Sequence, residues 1–203
     1  KKEEIEQLKF RHIGPVGNRV TCAVGVPGND MVYFAGAATG GIWKTSDDGL
    51  NWKPVFDDKP VHAIGALAIA PSDVQVMFAG TGESFIRSNV SIGNGVWKST
   101  DAGETWQHVG LDNTGRISRI IIHPTNPDVV YVCAVGHGYA AQKERGVYKS
   151  IDGGKTWKQV LFVDENTGAS DLVMDPSNPR VLFAGMWQLS LRTWNRTSGG
   201  PGS

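Results

Sequence analysis

Apolar and polar residues alternate through Gly95-Val-Trp-Lys-Ser99, the pattern of a half-buried β-strand. The same alternation stands at Gly41-Ile-Trp-Lys-Thr45 and Gly146-Val-Tyr-Lys-Ser150. Each is followed by a short turn containing Asp and Gly, then by Asn-Trp or Thr-Trp, which opens a second strand. The Gly can take positive φ, and the Asp is expected to accept hydrogen bonds from backbone N–H groups two residues on. The indole brings a large packing surface and one N–H to place. Four further segments read as apolar run, Pro-containing turn, apolar run: Val20–Gly36 around Pro27, Ile64–Gly80 around Pro71, Ile117–Val135 around Pro124 and Ala169–Gly185 around Pro176. Each predicts another β-hairpin.

The hairpins repeat. The turn tryptophans are Trp52, Trp106 and Trp157, spaced by 54 and 51 residues. Residues 45–52, 99–106 and 150–157 all fit Ser/Thr-x-Asp-x-Gly-x-Thr/Asn-Trp. This resembles the Asp-box, or BNR repeat, of sialidases, sortilin-type receptors and the xyloglucanases of glycoside hydrolase family 74. The chain from Phe10 onward also resembles large exported bacterial proteins called glycosyl-hydrolase-like for their BNR repeats. The resemblance implies an all-β fold, an Asp-box β-propeller of four-stranded antiparallel blades. The structural Asp-box residues would be Asp47, Gly49, Trp52, Asp101, Gly103, Trp106, Asp152, Gly154 and Trp157.

Laid on that template, residues 1–9 are a lead-in and 10–17 an N-terminal outer strand with its link. Blades follow at 18–56, 62–109 and 114–162, and 168–203 supplies the first half of a fourth blade. This does not close a ring of ~4–8 blades. A fragment of a longer propeller is the expectation, with association between copies as the alternative. The partners expected on this basis are the remaining blades or other copies of the chain.

Composition narrows the function classes. Lys+Arg and Asp+Glu are both 20, so nucleic acid is not an expected partner. Glycine is 26 of 203 residues, nearly twice the usual share of ~7%, as many tight turns require. No apolar run reaches membrane-spanning length. The charged start, Lys1-Lys-Glu-Glu-Ile-Glu6, shows no signal peptide. The resemblance nevertheless implies a periplasmic or extracellular protein. Cys22 and Cys133 sit in apolar strand contexts and read as buried small hydrophobes. No cofactor is expected. The Asp-box turns carry too few oxygens for calcium, and the histidines lack zinc-ligand spacing.

Candidate chemistry falls on one face. The Asp-box turns are minimal, whereas three of the loops after second strands are long, at 82–95, 136–146 and 186–203. Long loops on a rigid scaffold are where function concentrates. They carry Glu83, Arg87, His137, Tyr139, Arg145, Trp187, Arg192 and Trp194, aromatic and charged groups suited to a glycan or an extended peptide. Each has a bland reading as well. Glu83 and Arg87 can simply pair to satisfy a crowded loop, Trp187 can pack, and His137 can be a hydrogen-bonded loop residue. A glycoside hydrolase, as the alternative, would need two carboxylates across a sugar. Glu83 and Asp112 are the candidate pair, with Asp57 and Asp164 as substitutes. The family 74 pattern has an acidic residue before the Gly-Gly of the first blade, where this chain has Ala37-Ala-Thr39. A structural module that docks other subunits is a third reading.

Overall fold

The structure, a computed structural model, describes residues 14–15, 19–85, 87 and 89–203. The expected lead-in at 1–9 and the expected strand Phe10–Ile13 lie outside the described residues. Four antiparallel sheets follow one another along the chain. The first contains β1 (Val20–Val26), β2 (Asn29–Ala37), β3 (Ile42–Thr45) and β4 (Lys53–Pro54). The second contains β5 (Ile64–Ala70), β6 (Asp73–Thr81), β7 (Val96–Ser99) and β8 (Gln107–His108). The third contains β9 (Ile117–His123), β10 (Asn126–Ala134), β11 (Gly146–Ser150) and β12 (Lys158–Leu161). The fourth contains β13 (Thr167–Met174), β14 (Leu182–Leu191) and β15 (Arg196–Ser198). Strand order within each sheet is sequential, so every connection is a hairpin. These are the sheets of an Asp-box β-propeller.

The inner strands β1, β5, β9 and β13 pack on one another in turn. They approach closely because small residues face the contacts. A Cβ on Gly65 would collide with the carbonyl oxygens of Ile117 and Gly82. Between sheets one and two, Phe56 is fully buried and meets Trp97 and Trp106 edge-on, with centroids 5.4 and 5.7 Å apart. Phe78, Ile120, Val130 and Val132 fill the space between sheets two and three. A smaller cluster around Cys133, Val147, Ala169 and Leu172 lies between sheets three and four. Neither cysteine is in a disulfide; Cys133 is buried and Cys22 half-buried.

The three Asp-box turns share one bonding scheme. Ser99 Oγ donates to Asp101 Oδ1 at 2.7 Å and accepts from Gly103 N at 2.9 Å. Asp101 Oδ1 accepts from Thr105 N at 2.9 Å, and Oδ2 accepts from the Thr105 hydroxyl. Asp47 does the same with Asn51, and Asp152 with Thr156. The carboxylate therefore reaches an N–H four residues on, not two. Two successive residues take positive φ, Ala102 at 55° and Gly103 at 79°, and this wider turn carries the chain past the nearer N–H groups. The bonds hold all three carboxyls near 2, below the ordinary value of ~3.9.

The third long loop is also corrected. Residues 186–203 are not all loop: β14 runs on to Leu191, and β15 pairs with its last residues, Leu189↔Ser198 to Leu191↔Arg196. Leu189 and Leu191 are buried and cluster with Val135, with Val90 and Trp187 packed against them, which draws the strand outward past the sheet. The edge of β14 from Leu182 to Met186, opposite β13, has no strand beside it among the described residues.

Candidate functional site

The connections after β2, β6, β10 and β14, long after β6 and β10, lie on the face opposite the Asp-box turns. Beneath them is a layer of buried charge. Glu83 leaves β6 fully buried, its N–H donating to Ser91 O at 2.8 Å. Its Oε1 accepts from Arg19 Nη1 at 2.7 Å and ion-pairs with Arg87 Nε at 2.9 Å. Glu83 Oε2 has no hydrogen-bond partner among the described residues. Arg87 also donates to Asn89 O at 3.0 Å, tying the loop to itself. The anticipated Glu83–Arg87 pair is therefore present, and Arg19 joins it from the start of the first sheet.

Arg145 is buried at the end of the second loop. Its Nη1 donates to Asn166 O at 2.5 Å and Leu189 O at 3.3 Å, and its Nη2 to Ala140 O at 3.2 Å. One guanidinium so ties together the loop after β10, the link into β13 and the β14 extension. Burial draws its pKa down, while Asp164 pulls it up. Arg116, fully buried before β9, donates from Nε to Gly136 O at 2.5 Å. Its two amino groups have no hydrogen-bond partner among the described residues. Burial, and next the charge of Arg145, lower Arg116 to about 10. His137 is half-buried, and its N–H donates to Gln142 Oε1 at 2.5 Å.

Above this layer three of the expected ligand-binding residues come together. Tyr139 from the second loop, and Arg192 and Trp194 from the β14–β15 turn, line one open cavity of about 680 Å³ with Asn195 and Arg196. Trp194 is 81% exposed and Tyr139 50%. Trp187 stands apart: its indole donates to Ser198 Oγ at 3.1 Å, and it borders the central cavity of about 590 Å³ between the inner strands.

The carboxylates are dispersed. Asp112 sits in a 3-10 turn, Asp112–Thr114, with its side chain 66% exposed and 3.5 Å from His108 Nε2. Asp57 is exposed. Asp164 caps the turn into β13 through Asn166 N and Thr167 Oγ1. Among the described residues no three metal-ligating side chains cluster. Sequence reasoning missed Arg19 and Gln142. The signal for Arg19 was its place before β1, matching Arg116 before β9.

Comparison with known proteins fits this architecture. The family model for Sortilin-Vps10 (sortilin, neurotensin receptor 3) matches residues 40–158 and 94–195. Xyloglucanase Xgh74A of Acetivibrio thermocellus is 30% identical over 184 residues, 77% of this chain and 20% of that protein. A xyloglucanase of a Paenibacillus species is 28% identical over 162 residues, 73% of this chain and 15% of that protein. The chain thus spans about a fifth or less of the length of these relatives. The crystal structure of an ancestral GH74 enzyme superposes with a TM-score of 0.67 at 22% identity, covering 89% of this chain and 23% of that one. Repeated Asp-box hairpins, four-stranded antiparallel sheets around shared inner strands, and these matches agree, and the chain belongs to the Sortilin-Vps10 family of Asp-box β-propellers.

Proposed function

We propose that this chain is part of an exported propeller whose long-loop face binds a β-glucan of the xyloglucan type. The observation that carries the reading is the exposed indole of Trp194 beside Tyr139 and Arg192 over one cavity. Flat apolar rings suit the faces of sugar rings, while Arg192, Asn195 and Arg196 suit hydroxyl groups. The substrate named for the xyloglucanase relatives selects the glycan over a peptide. The experiment is calorimetric titration with a xyloglucan oligosaccharide. Trp194→Ala is expected to weaken binding roughly tenfold or more, on the scale of one lost stacking surface. Equal binding by Trp194→Ala would refute the site.

Hydrolysis is the second reading, favoured by the same relatives. Glu83 and Asp112 would carry it, and Glu83→Gln would then abolish turnover while sparing binding. The geometry speaks for a positioning role instead, because Glu83 is fully buried against Arg19 and Arg87.

A further inference from the structure

Charge on the loop face is segregated by sign. Over the whole chain Lys+Arg and Asp+Glu balance at 20 each, but beneath the rim cavity they do not. Glu83 is the one carboxylate buried among the described residues, and Arg19 and Arg87 both take its Oε1. The buried guanidiniums of Arg116 and Arg145 are met by carbonyl oxygens alone: Gly136 O at Arg116, and Asn166, Leu189 and Ala140 O at Arg145. Both amino groups of Arg116 and the Nε of Arg145 have no hydrogen-bond partner among the described residues. The acidic side chains nearby are engaged elsewhere. Glu144 accepts from Gln142 Nε2 at 3.3 Å, and Asp164 accepts from Asn166 N and Thr167 Oγ1, acting on Arg145 only through space. Burial, and then repulsion from Arg145, hold Arg116 at about 10, so it keeps its charge at neutral pH.

This charge lies directly under the exposed rings. Gly136 and Gly138 take positive φ, 89° and 83°, and neither has a side chain to screen the guanidiniums. A Cβ on Gly138 would stand 2.7 Å from Arg116 Nη2, and 3.1 and 3.2 Å from the Cδ1 atoms of Leu189 and Leu191. One on Gly136 would stand 2.9 Å from Arg145 Nε. Tyr139, the next residue along, and Leu191 both line the rim cavity. The cavity wall adds Arg192 and Arg196 and contains no carboxylate. Among the described residues neither of these side chains has an ion-pair or hydrogen-bond partner. Other basic side chains of the surface are paired: Lys44 and Lys53 share Glu104, Lys59 holds Asp58, and Arg119 faces Asp171. Unpaired charge near a low-dielectric interior is costly, and a site that retains it gains most from a ligand of opposite sign.

We infer that the glycan taken by this rim is acidic, a glucan whose branches end in a uronic acid, with the carboxylate seated against Arg192 and held by the field of Arg116 and Arg145 below. This rests on the glycan reading proposed above and adds the charge of the ligand. A guanidinium offers a carboxylate two parallel N–H bonds, which a neutral hydroxyl cannot match. The rings of Trp194 and Tyr139 stack on neutral and acidic sugars alike, so the acid group sets the selectivity. The amino groups of Arg116 are buried, so Arg116 acts through space as a positioning residue and does not touch the sugar.

The test is calorimetric titration of the 203-residue chain with a matched pair of ligands. One is a xyloglucan oligosaccharide, and the other is the same oligosaccharide with the primary alcohols of its galactosyl branches oxidised to carboxylates. The oxidised form is expected to bind roughly tenfold tighter in dilute buffer, the scale of one charge-assisted pair, and to lose most of that advantage between about 20 mM and about 0.5 M salt. Arg192 is exposed, so Arg192→Gln keeps the fold, and it is expected to shrink the acid-to-neutral affinity ratio roughly threefold or more. Arg116→Met is expected to shrink the same ratio about twofold or more through the lost field. Equal or weaker binding of the oxidised form, by a chain that binds the neutral form, would overturn the inference and leave the glycan reading standing. An acid preference that neither substitution alters would overturn it too. Failure of both forms to bind would overturn the glycan reading, and the inference with it.

Discussion

Gly103→Ala separates backbone strain from packing when it is set against Gly28→Ala. Both glycines hold the left-handed region, with φ of 79° and 76°. Nothing lies within 4 Å of a Cβ added at Gly28. That substitution therefore costs only the conformation, roughly 1–2 kcal/mol, offset by about 0.4–1 kcal/mol from a stiffer unfolded chain. The net loss is about 1 kcal/mol. At Gly103 the same Cβ stands 2.7 Å from Phe34 Cε1 and 3.1 Å from Cζ. Phe34 is fully buried under Lys44 and has no room to retreat. Overpacking of this kind adds roughly 1–3 kcal/mol. Gly103→Ala is thus expected to lose about 2–4 kcal/mol. With a urea m-value of about 2 kcal/mol/M, the midpoint falls by about 1–2 M. Urea unfolding of the two variants, followed by tryptophan fluorescence, makes the comparison. Losses agreeing within about 0.5 kcal/mol would show that the turn glycine does not seat on Phe34.

Two further outcomes follow from the charges. Asp47, Asp101 and Asp152 are depressed to about 2, so their contribution is complete above the unfolded carboxyl value of ~4 and is lost as pH falls toward 2. Urea midpoints should be level from neutral pH to about 5 and drop between about 4 and 2, and Asp101→Asn should show a shallower drop than the parent; equal slopes would exclude the Asp-box as the source. Arg145→Met removes the side-chain donor to three carbonyls, of which Asn166 O keeps the Leu189 N–H, and is expected to cost roughly 3 kcal/mol. Arg116→Met removes two buried amino groups that have no partner among the described residues, and should cost less than Arg145→Met in the same urea assay.

The Asp-box hairpins were legible because their bonds are local. Every staple joins residues two to four apart, so the pattern of Ser/Thr, Asp, Gly and Trp contains the whole turn. The bonding distance was misjudged because a second positive-φ residue ahead of the glycine, Ala102, is invisible in composition. The β14 extension is a different case. Trp187-Gln-Leu-Ser-Leu191 does alternate, but the blade template assigned it to a loop. What makes it strand is Leu189 and Leu191 packing on Val135, more than fifty residues back in the chain.

The site divides along the same line. Trp194 lies in a polar turn among Arg192, Asn195 and Arg196, with no alternation to bury it, so its exposure could be read locally. Glu83 and Arg145 have equally polar neighbours yet are fully buried, and distant residues decide this. Arg19 reaches Glu83 from 64 positions away, and Arg145 takes carbonyls 21 and 44 positions ahead. Charged residues in a long loop therefore have two fates that sequence alone does not separate. Those that find main-chain carbonyls or an opposite charge below the surface become ties; those that do not stay exposed. In this chain the ties lie beneath the exposed rings, and they fix what those rings present. Arg145 clamps Leu189, three positions before the turn that carries Arg192 and Trp194, and also Ala140, the neighbour of Tyr139. Loss of Arg145 should therefore loosen both walls of the rim cavity together. On the proposed glycan reading, tie and recognition surface are two layers of one loop, and substitution of the lower layer should lower affinity without touching the ligand.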